Sequence, residues 1–213
     1  MIQGTKYRGE GRVDKQNGGK GHKAFCVIEL EALEMGAGFE FVPRVVGGVI
    51  PRAFLPSIEK GVRGAMAGGI LAGYPVVDVR VSVVDGNYHE VDSTDYAFAE
   101  AGRLAFQDAC RTAPMIIIEP VGLVEVLTPG DFVGPVLGDI ARRRGRLVGQ
   151  SALADGTAVV RATVPVAETF GYTTALRSLT QGRASFSMSV ASYAEVPHDI
   201  SQELIAQAGV TPP

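Results

Sequence analysis

The residues best suited to chemistry lie in one short, glycine-rich and cationic segment near the start of the chain. It contains three lysines, three glycines and no acidic residue: Lys15, Gln16, Asn17, Gly18, Gly19, Lys20, Gly21, His22 and Lys23. Lysine ammonium groups attract phosphate whatever the base sequence, and glycine lets a backbone approach a surface closely. The segment therefore predicts a cationic finger for a phosphate-bearing partner, although a solvated hairpin turn would contain the same residue types.

Basic residues are concentrated in two places on a chain that is mildly acidic overall. The 213 residues include 20 lysines and arginines against 23 aspartates and glutamates, a formal net charge of -3, which excludes a uniformly basic nucleic-acid-binding protein. The stretch from Lys6 to Lys23 nevertheless carries six basic and two acidic side chains. A second cluster consists of arginines: Arg142, Arg143, Arg144 and Arg146. Arginines at these positions suit either contact with phosphate or the last turn of a helix, where cations complement the helix dipole.

A turn-forming segment from Asp85 to Glu90 presents a second set of exposed side chains. An aromatic ring and an imidazole, Tyr88 and His89, follow Asn87 at its tip. Such rings stack on unpaired nucleotides or hydrogen-bond to them. The segment therefore suits the same kind of partner as the cationic finger.

The sequence does not predict a catalytic triad or a metal site. His89, Asp92 and Ser93 have the residue types of a hydrolase triad, but they lie within five positions, and Asp92 is better used as the N-cap of the following helix. No pair of potential metal ligands has a spacing that would preassemble a site. The potential ligands considered are His22, Cys26, His89 and His198.

The two cysteines and the apolar runs indicate a cytoplasmic protein without membrane association. Cys26 and Cys110 lie far apart among apolar neighbours, so we expect both to be buried and reduced. No apolar run approaches the length of a membrane span, and no N-terminal segment has the basic start and apolar core of a leader.

Hydrophobic periodicity predicts the elements that position these segments in the first half. Alternation predicts strands over 24–33, 39–46 and 77–83, and a spacing of three and four residues predicts a helix from Phe54 to Met66, ended by two glycines. A second helix follows the Asp92 cap and stops before Pro114. Its predicted apolar stripe is Phe98, Ala101, Leu104, Ala105 and Ala109.

The second half has the order strand, helix, strand, strand, helix, strand, which is typical of a ferredoxin-like domain. The predicted ranges are 115–127, 133–144, 147–151, 157–164, 169–180 and 184–193, with a bend in the first strand at 119–122. A short terminal helix is predicted over 199–208. The fold class is therefore α+β in two domains, with a boundary near Pro114.

Six segments, in order along nearly the whole chain, carry a resemblance to a known family. They are 15–21 (KQNGGKG), 47–51 (GGVIP), 71–78 (LAGYPVVD), 88–93 (YHEVDS), 138–145 (GDIARRRG) and 170–184 (FGYTTALRSLTQGRA). With these segments the chain resembles the carboxy-terminal portion of bacterial translation elongation factor G. Residues 1–113 are similar to its domain IV, which implies a fold like domain 2 of ribosomal protein S5. Residues 114–197 are similar to its ferredoxin-like domain V, and 198–213 form a C-terminal helix and tail.

This resemblance implies a ribosome-binding part of a translational GTPase. In the family, domain IV reaches into the decoding region during translocation and holds the transfer and messenger RNA, and domain V lies near the factor-binding region of the large subunit. Segment 15–23 matches one tip loop of domain IV and segment 86–92 the other, so we expect the two to lie side by side. The resemblance thus implies RNA contact by residues 15–23, Asn87, Tyr88 and His89. For Arg142, Arg143 and Arg144, contact with ribosomal RNA and a role confined to the helix dipole stay open as alternatives.

No G-x-x-x-x-G-K-[ST] phosphate loop is present, so this chain alone is expected neither to bind nor to hydrolyse GTP. We interpret the chain as a monomeric piece of a longer protein, without a cofactor of its own, whose GTP and Mg²⁺ belong ahead of residue 1. His22 and Lys23 depart from the family pattern, as does the short connection at 35–38. These departures leave open a paralogue with another task, such as ribosome recycling. A stand-alone RNA-binding module and a small hydrolase that uses the His89 loop are the remaining alternatives.

Overall fold

The structure, a computed structural model, describes residues 5–17 and 20–209, without the side chains at positions 16, 17 and 20. Its contacts divide the chain into two compact units. The first contains the described residues of Met1–Ile117 and Pro197–Pro213, and the second is Ile118–Val196. The C-terminal helix, α5 (His198–Gln207), thus groups with the first unit.

A four-stranded sheet and two helices form the main body of the first unit. The sheet has the order β1-β2-β4-β3, in which β3 runs parallel to β4 and the other neighbours are antiparallel. Its strands are β1 (Lys6–Asn17), β2 (Lys20–Ala32), β3 (Phe39–Pro43) and β4 (Val79–Asn87). Helix α1 (Leu55–Gly68) connects the two parallel strands, and α2 (Asp95–Thr112) follows β4. Both helices contribute to one core with the buried face of the sheet, where Ile28, Val81 and Phe98 are fully buried.

Strand β1 lies close to α2 because two of its residues have no side chain. A Cβ atom at Gly11 would lie 1.8 Å from the carbonyl oxygen of Ala101, and one at Gly9 would lie 2.2 Å from that of Ala105. The two-residue period of a strand puts both glycines on the helix-facing side together with buried Val13. The backbone of β1 therefore rests directly on α2, which supports the hairpin formed by β1 and β2.

The second unit is ferredoxin-like, as predicted. Its chain order is β5 (Ile118–Pro129), α3 (Val133–Arg142), β6 (Arg146–Ala152), β7 (Thr157–Pro165), α4 (Tyr172–Thr180) and β8 (Ser185–Glu195). The antiparallel sheet has the order β6-β7-β5-β8. One apolar face packs against both helices, with Val126, Val160 and Leu176 buried between them. The predicted bend in the first strand corresponds to a shift of register between Val121 and Gly122.

The N-cap of α2 is Thr94, so the prediction of Asp92 as the cap was wrong. Thr94 has extended backbone angles, and its hydroxyl accepts a hydrogen bond of 3.2 Å from the amide of Ala97. This is the geometry that satisfies a free amide in the first turn of a helix. Asp92 lies before the helix and makes contacts across to the β1–β2 hairpin, which a local pattern does not reveal.

Two predicted helices in the second unit are shorter than expected because the backbone turns left-handed at their ends. Gly171 has φ of 73°, so α4 begins at Tyr172 rather than at position 169. Arg144 has φ of 58°, so α3 ends at Arg142. The strand predicted over 39–46 likewise ends at Pro43, where its ladder with β4 stops.

Candidate nucleic-acid interface

The described residues of the glycine-rich segment lie where β1 ends and β2 begins. Lys15 pairs with His22 across the two strands, and Asp14 pairs with Lys23. Buried Val13 and Ala24 mark the face that packs on the helices, so Lys15 and His22 lie on that side and Lys23 lies on the other. Of the predicted RNA-contacting residues, Gly18 and Gly19 and the side chains of Gln16, Asn17 and Lys20 lie outside the described part of the chain.

Two hydrogen bonds join the second predicted segment to this hairpin, and a third holds Ser93 to the loop of His89. The amide of Lys23 donates to the carbonyl oxygen of Asp92 at 2.9 Å. The Ser93 hydroxyl donates to the carbonyl oxygen of Lys23 at 2.7 Å and accepts from the amide of His89 at 2.8 Å. The two segments therefore lie side by side, as expected, and one serine connects the backbone of both.

Two further contacts fill the space between the segments. A Cβ atom at Gly21 would lie 2.6 Å from the carboxyl carbon of Asp92, so the aspartate occupies the volume that a side chain at position 21 would need. The imidazole of His22 lies 3.2 Å from the hydroxyl of Thr94, measured from Nδ1, and its ring meets that of Tyr96 edge to face at 5.8 Å. A side chain at position 21 would thus require the Asp92 carboxylate to move, and His22 serves as a packing residue.

The His89 side chain is exposed and accepts hydrogen bonds from the backbone of its own loop. Its Nδ1 lies 3.4 Å from the amide nitrogen of Val91 and 3.3 Å from that of Asp92, and the side chain is 54% exposed. Because Nδ1 accepts from these amides, the ring proton of the neutral imidazole is on Nε2. His89 can therefore donate a hydrogen bond outward from Nε2.

The geometry does not support a hydrolase triad. The Ser93 hydroxyl donates to a backbone carbonyl rather than to the His89 ring. Asp92 Oδ2 lies 3.4 Å from Nδ1 of His89. A nucleophile needs a base within hydrogen-bond reach, and this serine instead connects two backbone segments.

The two described lysines near the end of the hairpin, Lys15 and Lys23, differ from Lys6 and Arg8 further along β1, which are paired with Glu29 and Glu10. Among residues 5–17 and 20–209, neither Lys15 nor Lys23 has a carboxylate within ion-pair distance. Lys15 nevertheless acts on helix α2. The pKa of Glu100 is lowered chiefly by hydrogen bonds from Arg103, and the positive charge of Lys15 adds to the effect. Both lysines are exposed and therefore available to phosphate.

The second cationic cluster has a different environment. Arg144 donates to both carboxylate oxygens of Glu119, at 2.7 and 3.0 Å, and to Glu168 at 2.9 Å. Arg143 donates to Asp139 at 2.9 Å and to the backbone oxygen of Glu168 at 2.6 Å. These two predicted RNA-contacting arginines are thus engaged within the second unit.

Arg142 differs from its two neighbours because it is 72% exposed, and its contact with Asp139 is 3.3 Å long. Beneath the cluster, Arg143 lies over the ring of Tyr172 at 5.1 Å. Burial, with the nearby charge of Asp139, raises the pKa of Tyr172 to about 12. Of the three arginines, Arg142 is therefore the one that the structure leaves accessible.

Both cysteines are buried and free, as predicted. Burial raises the pKa of Cys26 and of Cys110 to about 12, so neither thiol ionises near neutral pH. Within the part of the chain that the structure describes, no three histidine, cysteine, aspartate or glutamate side chains are grouped as metal ligands would be. Over the same residues, no helix combines the length and apolar character needed to cross a bilayer.

Comparisons with known proteins agree with this architecture. A family model for elongation factor G, domain IV, matches residues 2–114, and one for the elongation factor G C-terminus matches residues 116–204. The chain belongs to the elongation factor G family. It is 54% identical over 202 residues to an elongation factor G from Aquifex pyrophilus, a match that covers 95% of this chain and 29% of that protein. The chain thus spans less than a third of this relative's length.

A solved crystal structure from Thermus thermophilus is similar throughout the chain. It matches with a TM-score of 0.86 at 37% sequence identity, covering 96% of this chain and 30% of that one. The two-domain α+β fold is therefore shared with a protein of known structure. The predicted family and fold class are confirmed.

Sequence reasoning missed the residues that hold the two segments together. Ser93 and Asp92 were predicted to cap a helix, whereas they contact Lys23, His89 and Gly21. The hairpin partners lie about 70 positions away in the sequence. Asp92, Ser93 and Thr94 in succession before a helix indicate an N-cap. Which of the three forms the cap is decided by the pairing of the strands.

Proposed function

We propose that this chain is the ribosome-facing arm of a translational GTPase and that it promotes the movement of transfer and messenger RNA. The observation that carries the proposal is the pairing of the lysine-bearing hairpin with the His89 loop through Ser93. The paired segments present exposed ammonium groups, an imidazole donor and the Tyr88 ring on one supported projection. These groups bind phosphates and unpaired bases without any catalytic residue.

The support beneath the projection suits a mechanical role. The β1 backbone lies on α2 at Gly9 and Gly11, so the hairpin cannot shift toward the helix. A rigid arm transmits force to a bound RNA, whereas a loose loop would yield. Several contacts of about 1 to 3 kcal/mol each would hold a moving RNA without trapping it.

The partners follow from the proposal. In the decoding region the arm would contact ribosomal, transfer and messenger RNA, and the second unit would lie near the factor-binding region of the large subunit. GTP and Mg²⁺ would be bound by another part of a longer protein, and this chain would work in the cytoplasm as part of a monomer. A paralogue that acts in ribosome recycling would use the same projection.

The first test removes the cations of the hairpin. In an elongation factor G that carries this chain as its C-terminal portion, changing Lys15, Lys20 and Lys23 together to alanine should weaken association with ribosomes. The slope of the logarithm of the association constant against the logarithm of the salt concentration should become less negative by about 2 to 3. The reason is that each lysine that contacts phosphate releases nearly one counterion. Sedimentation with ribosomes across a salt series measures both quantities.

A matched control removes the same charge elsewhere. Lys60, Arg111 and Arg177 are exposed and lie outside the hairpin and the arginine cluster, so changing them to alanine gives the same net charge. If this control flattens the salt dependence as much as the hairpin variant does, overall charge explains the binding. The proposed arm would then be rejected.

The second test separates movement of RNA from GTP hydrolysis. In the same factor, His89→Ala should slow translocation while ribosome-stimulated GTP hydrolysis persists. His89→Asn is the control, because its side-chain oxygen can accept from the amides of Val91 and Asp92 as Nδ1 does. If the outward Nε2 donor matters, asparagine does not restore the rate. Equal loss of both activities in His89→Ala would contradict the proposal.

A further inference from the structure

A cleft lies beside the His89 loop, lined by residues of β1, β2 and β4 and by Val49. Its volume is about 600 Å³, within the range of about 300 to 1,000 Å³ that is usual for small-ligand sites. Arg12, Phe25 and Asn87 lie in one row across β1, β2 and β4, because Arg12 pairs with Phe25 and Phe25 pairs with Asn87. The remaining lining residues are Val49, Gly86 and Tyr88.

One wall of the cleft depends on a glycine. A Cβ atom at Gly86 would lie 2.4 Å from Cδ1 of Ile50 and 2.5 Å from the carbonyl oxygen of Phe25. Any side chain at this position would displace Ile50, which is buried, and with it the adjoining Val49. The absence of a side chain at position 86 therefore brings the 49–50 segment against the sheet and shapes the cleft.

The side chains around the cleft are complementary to one nucleotide. The rings of Phe25 and Tyr88 offer apolar surfaces on which a base can stack. The Asn87 amide can both donate to and accept from a base edge, and the Arg12 guanidinium can bind a phosphate through paired donors. Within the described part of the chain, the side chains of Arg12, Asn87 and Tyr88 have no intramolecular hydrogen-bond partner.

The charge at the cleft favours an anionic occupant. Arg12 has no carboxylate within ion-pair distance among the described residues, and none of the lining residues is acidic. The nearby carboxylate of Asp85 is engaged with the amide of Gly86 at 2.8 Å. Lys23 extends the positive surface, because it lies two residues from Phe25 on the same face of β2.

We propose that this cleft binds one unstacked nucleotide of single-stranded RNA, with its base against Phe25 and Tyr88 and its phosphate on Arg12. The inference rests on the proposed function and deepens it, since it adds Arg12 and Phe25, which lie outside the two tip segments, to the residues that contact RNA. A base held here would lie next to Asn87 and Tyr88, so the cleft and the His89 loop would engage neighbouring nucleotides. Double-stranded RNA has no free base to insert, so it would not occupy the cleft.

The experiment uses a tryptophan reporter, because the chain has no tryptophan of its own. Phe25→Trp keeps an aromatic ring in the cleft, and a tetranucleotide of uridine should quench its fluorescence by stacking. Adding Arg12→Gln or Asn87→Ala should weaken this binding by roughly tenfold, as expected for the loss of one contact to a nucleotide. A duplex of the same length should leave the fluorescence unchanged, and uridine monophosphate should bind more weakly than the tetranucleotide.

Two controls keep the test decisive. Tyr193→Trp places a reporter at a half-exposed site in the second unit, where no quenching is expected. If Phe25→Trp does not fold, Tyr88→Trp reports from the accessible wall of the same cleft. Equal quenching at Tyr193→Trp, quenching by the duplex, or unchanged affinity in Arg12→Gln would overturn the inference.

The outcome is distinguishable from that of the proposed function. If the hairpin lysines are needed for ribosome association but the cleft variants bind the tetranucleotide as before, the cleft assignment alone fails. If the lysine variant also has no effect, both fail.

Discussion

The end of the lysine-bearing hairpin and the arginine cluster of the second unit differ in environment. In the hairpin, the described lysines at positions 15 and 23 are exposed and lie beyond ion-pair distance of any described carboxylate. In the second unit, Arg144 binds Glu119 and Glu168, and Arg143 binds Asp139. A run of basic residues is therefore free to meet an anionic partner only where the fold supplies no acids to pair with it.

The comparison also shows what each cluster does for its unit. The arginines join α3 to residues of other elements and stabilise the ferredoxin-like fold. The hairpin lysines add little to the stability of their unit, which rests instead on the contact of β1 with α2. Removing the arginine contacts should therefore destabilise the second unit, and disturbing the contact of β1 with α2 should destabilise the first.

The largest effect is expected at the contact of β1 with α2. Gly11→Ala places a methyl group 1.8 Å from the oxygen of Ala101, so the strand or the helix must move. We expect the first unit to lose about 3 kcal/mol or more of stability. Hydrogen exchange measured separately in each unit would detect this, because a two-domain chain need not unfold in one step.

Gly138→Ala is the matched control in the second unit. Gly138 lies within α3, and a Cβ atom there would meet nothing within 4 Å. Since alanine favours a helix more than glycine does, this change should stabilise the second unit by about 0.5 to 1 kcal/mol. A similar small effect from both substitutions would show that β1 is not tightly seated.

A smaller loss is expected from Arg144→Ala. It leaves Glu119, whose side chain is 14% exposed, without its bidentate partner. Because the pair is only partly buried, we expect a loss of about 2 kcal/mol in the second unit, less than for a fully buried pair. Chemical denaturation followed by exchange in β5 and α3 would measure it.

Arg142→Ala provides the comparison for Arg144. Its side chain is 72% exposed, so its removal should change stability by less than about 0.5 kcal/mol. Equal destabilisation by the two substitutions would contradict the division of the arginines into a structural pair and one accessible residue. A loss of ribosome association in Arg142→Ala alone would sharpen that division.

A local loss, smaller than that for Arg144→Ala, is expected from Ser93→Ala. It removes the hydrogen bonds to Lys23 and from His89, which should cost about 1 kcal/mol locally. The amide of His89 should then exchange faster, while amides of the second unit should not change. Ser93→Thr keeps the hydroxyl and should restore slow exchange. Unaltered exchange in Ser93→Ala would mean that the two segments do not depend on this serine.

Local patterns were sufficient for most of the fold. Alternation of valines with polar residues predicts β4, and the ordered strands and helices after Pro114 predict the ferredoxin-like unit. These patterns depend on residues only a few positions apart, so they can be recognised from the sequence alone. The ends of α3 and α4 were less predictable, because left-handed backbone at Arg144 and Gly171 sets them.

For the candidate site, the sequence by itself determined which residue types are present: a glycine-rich lysine segment, a tip histidine and an arginine cluster. Tertiary structure alone decided how they are used. Ser93 connects Lys23 to His89, Thr94 caps α2, and Glu119 and Glu168 neutralise Arg144. The physical reason is that hydrogen bonds and ion pairs act over a few ångströms of space. Strand pairing and helix packing bring Ser93 to Lys23, and Arg144 to Glu119 and Glu168, from positions about 25 to 70 residues apart.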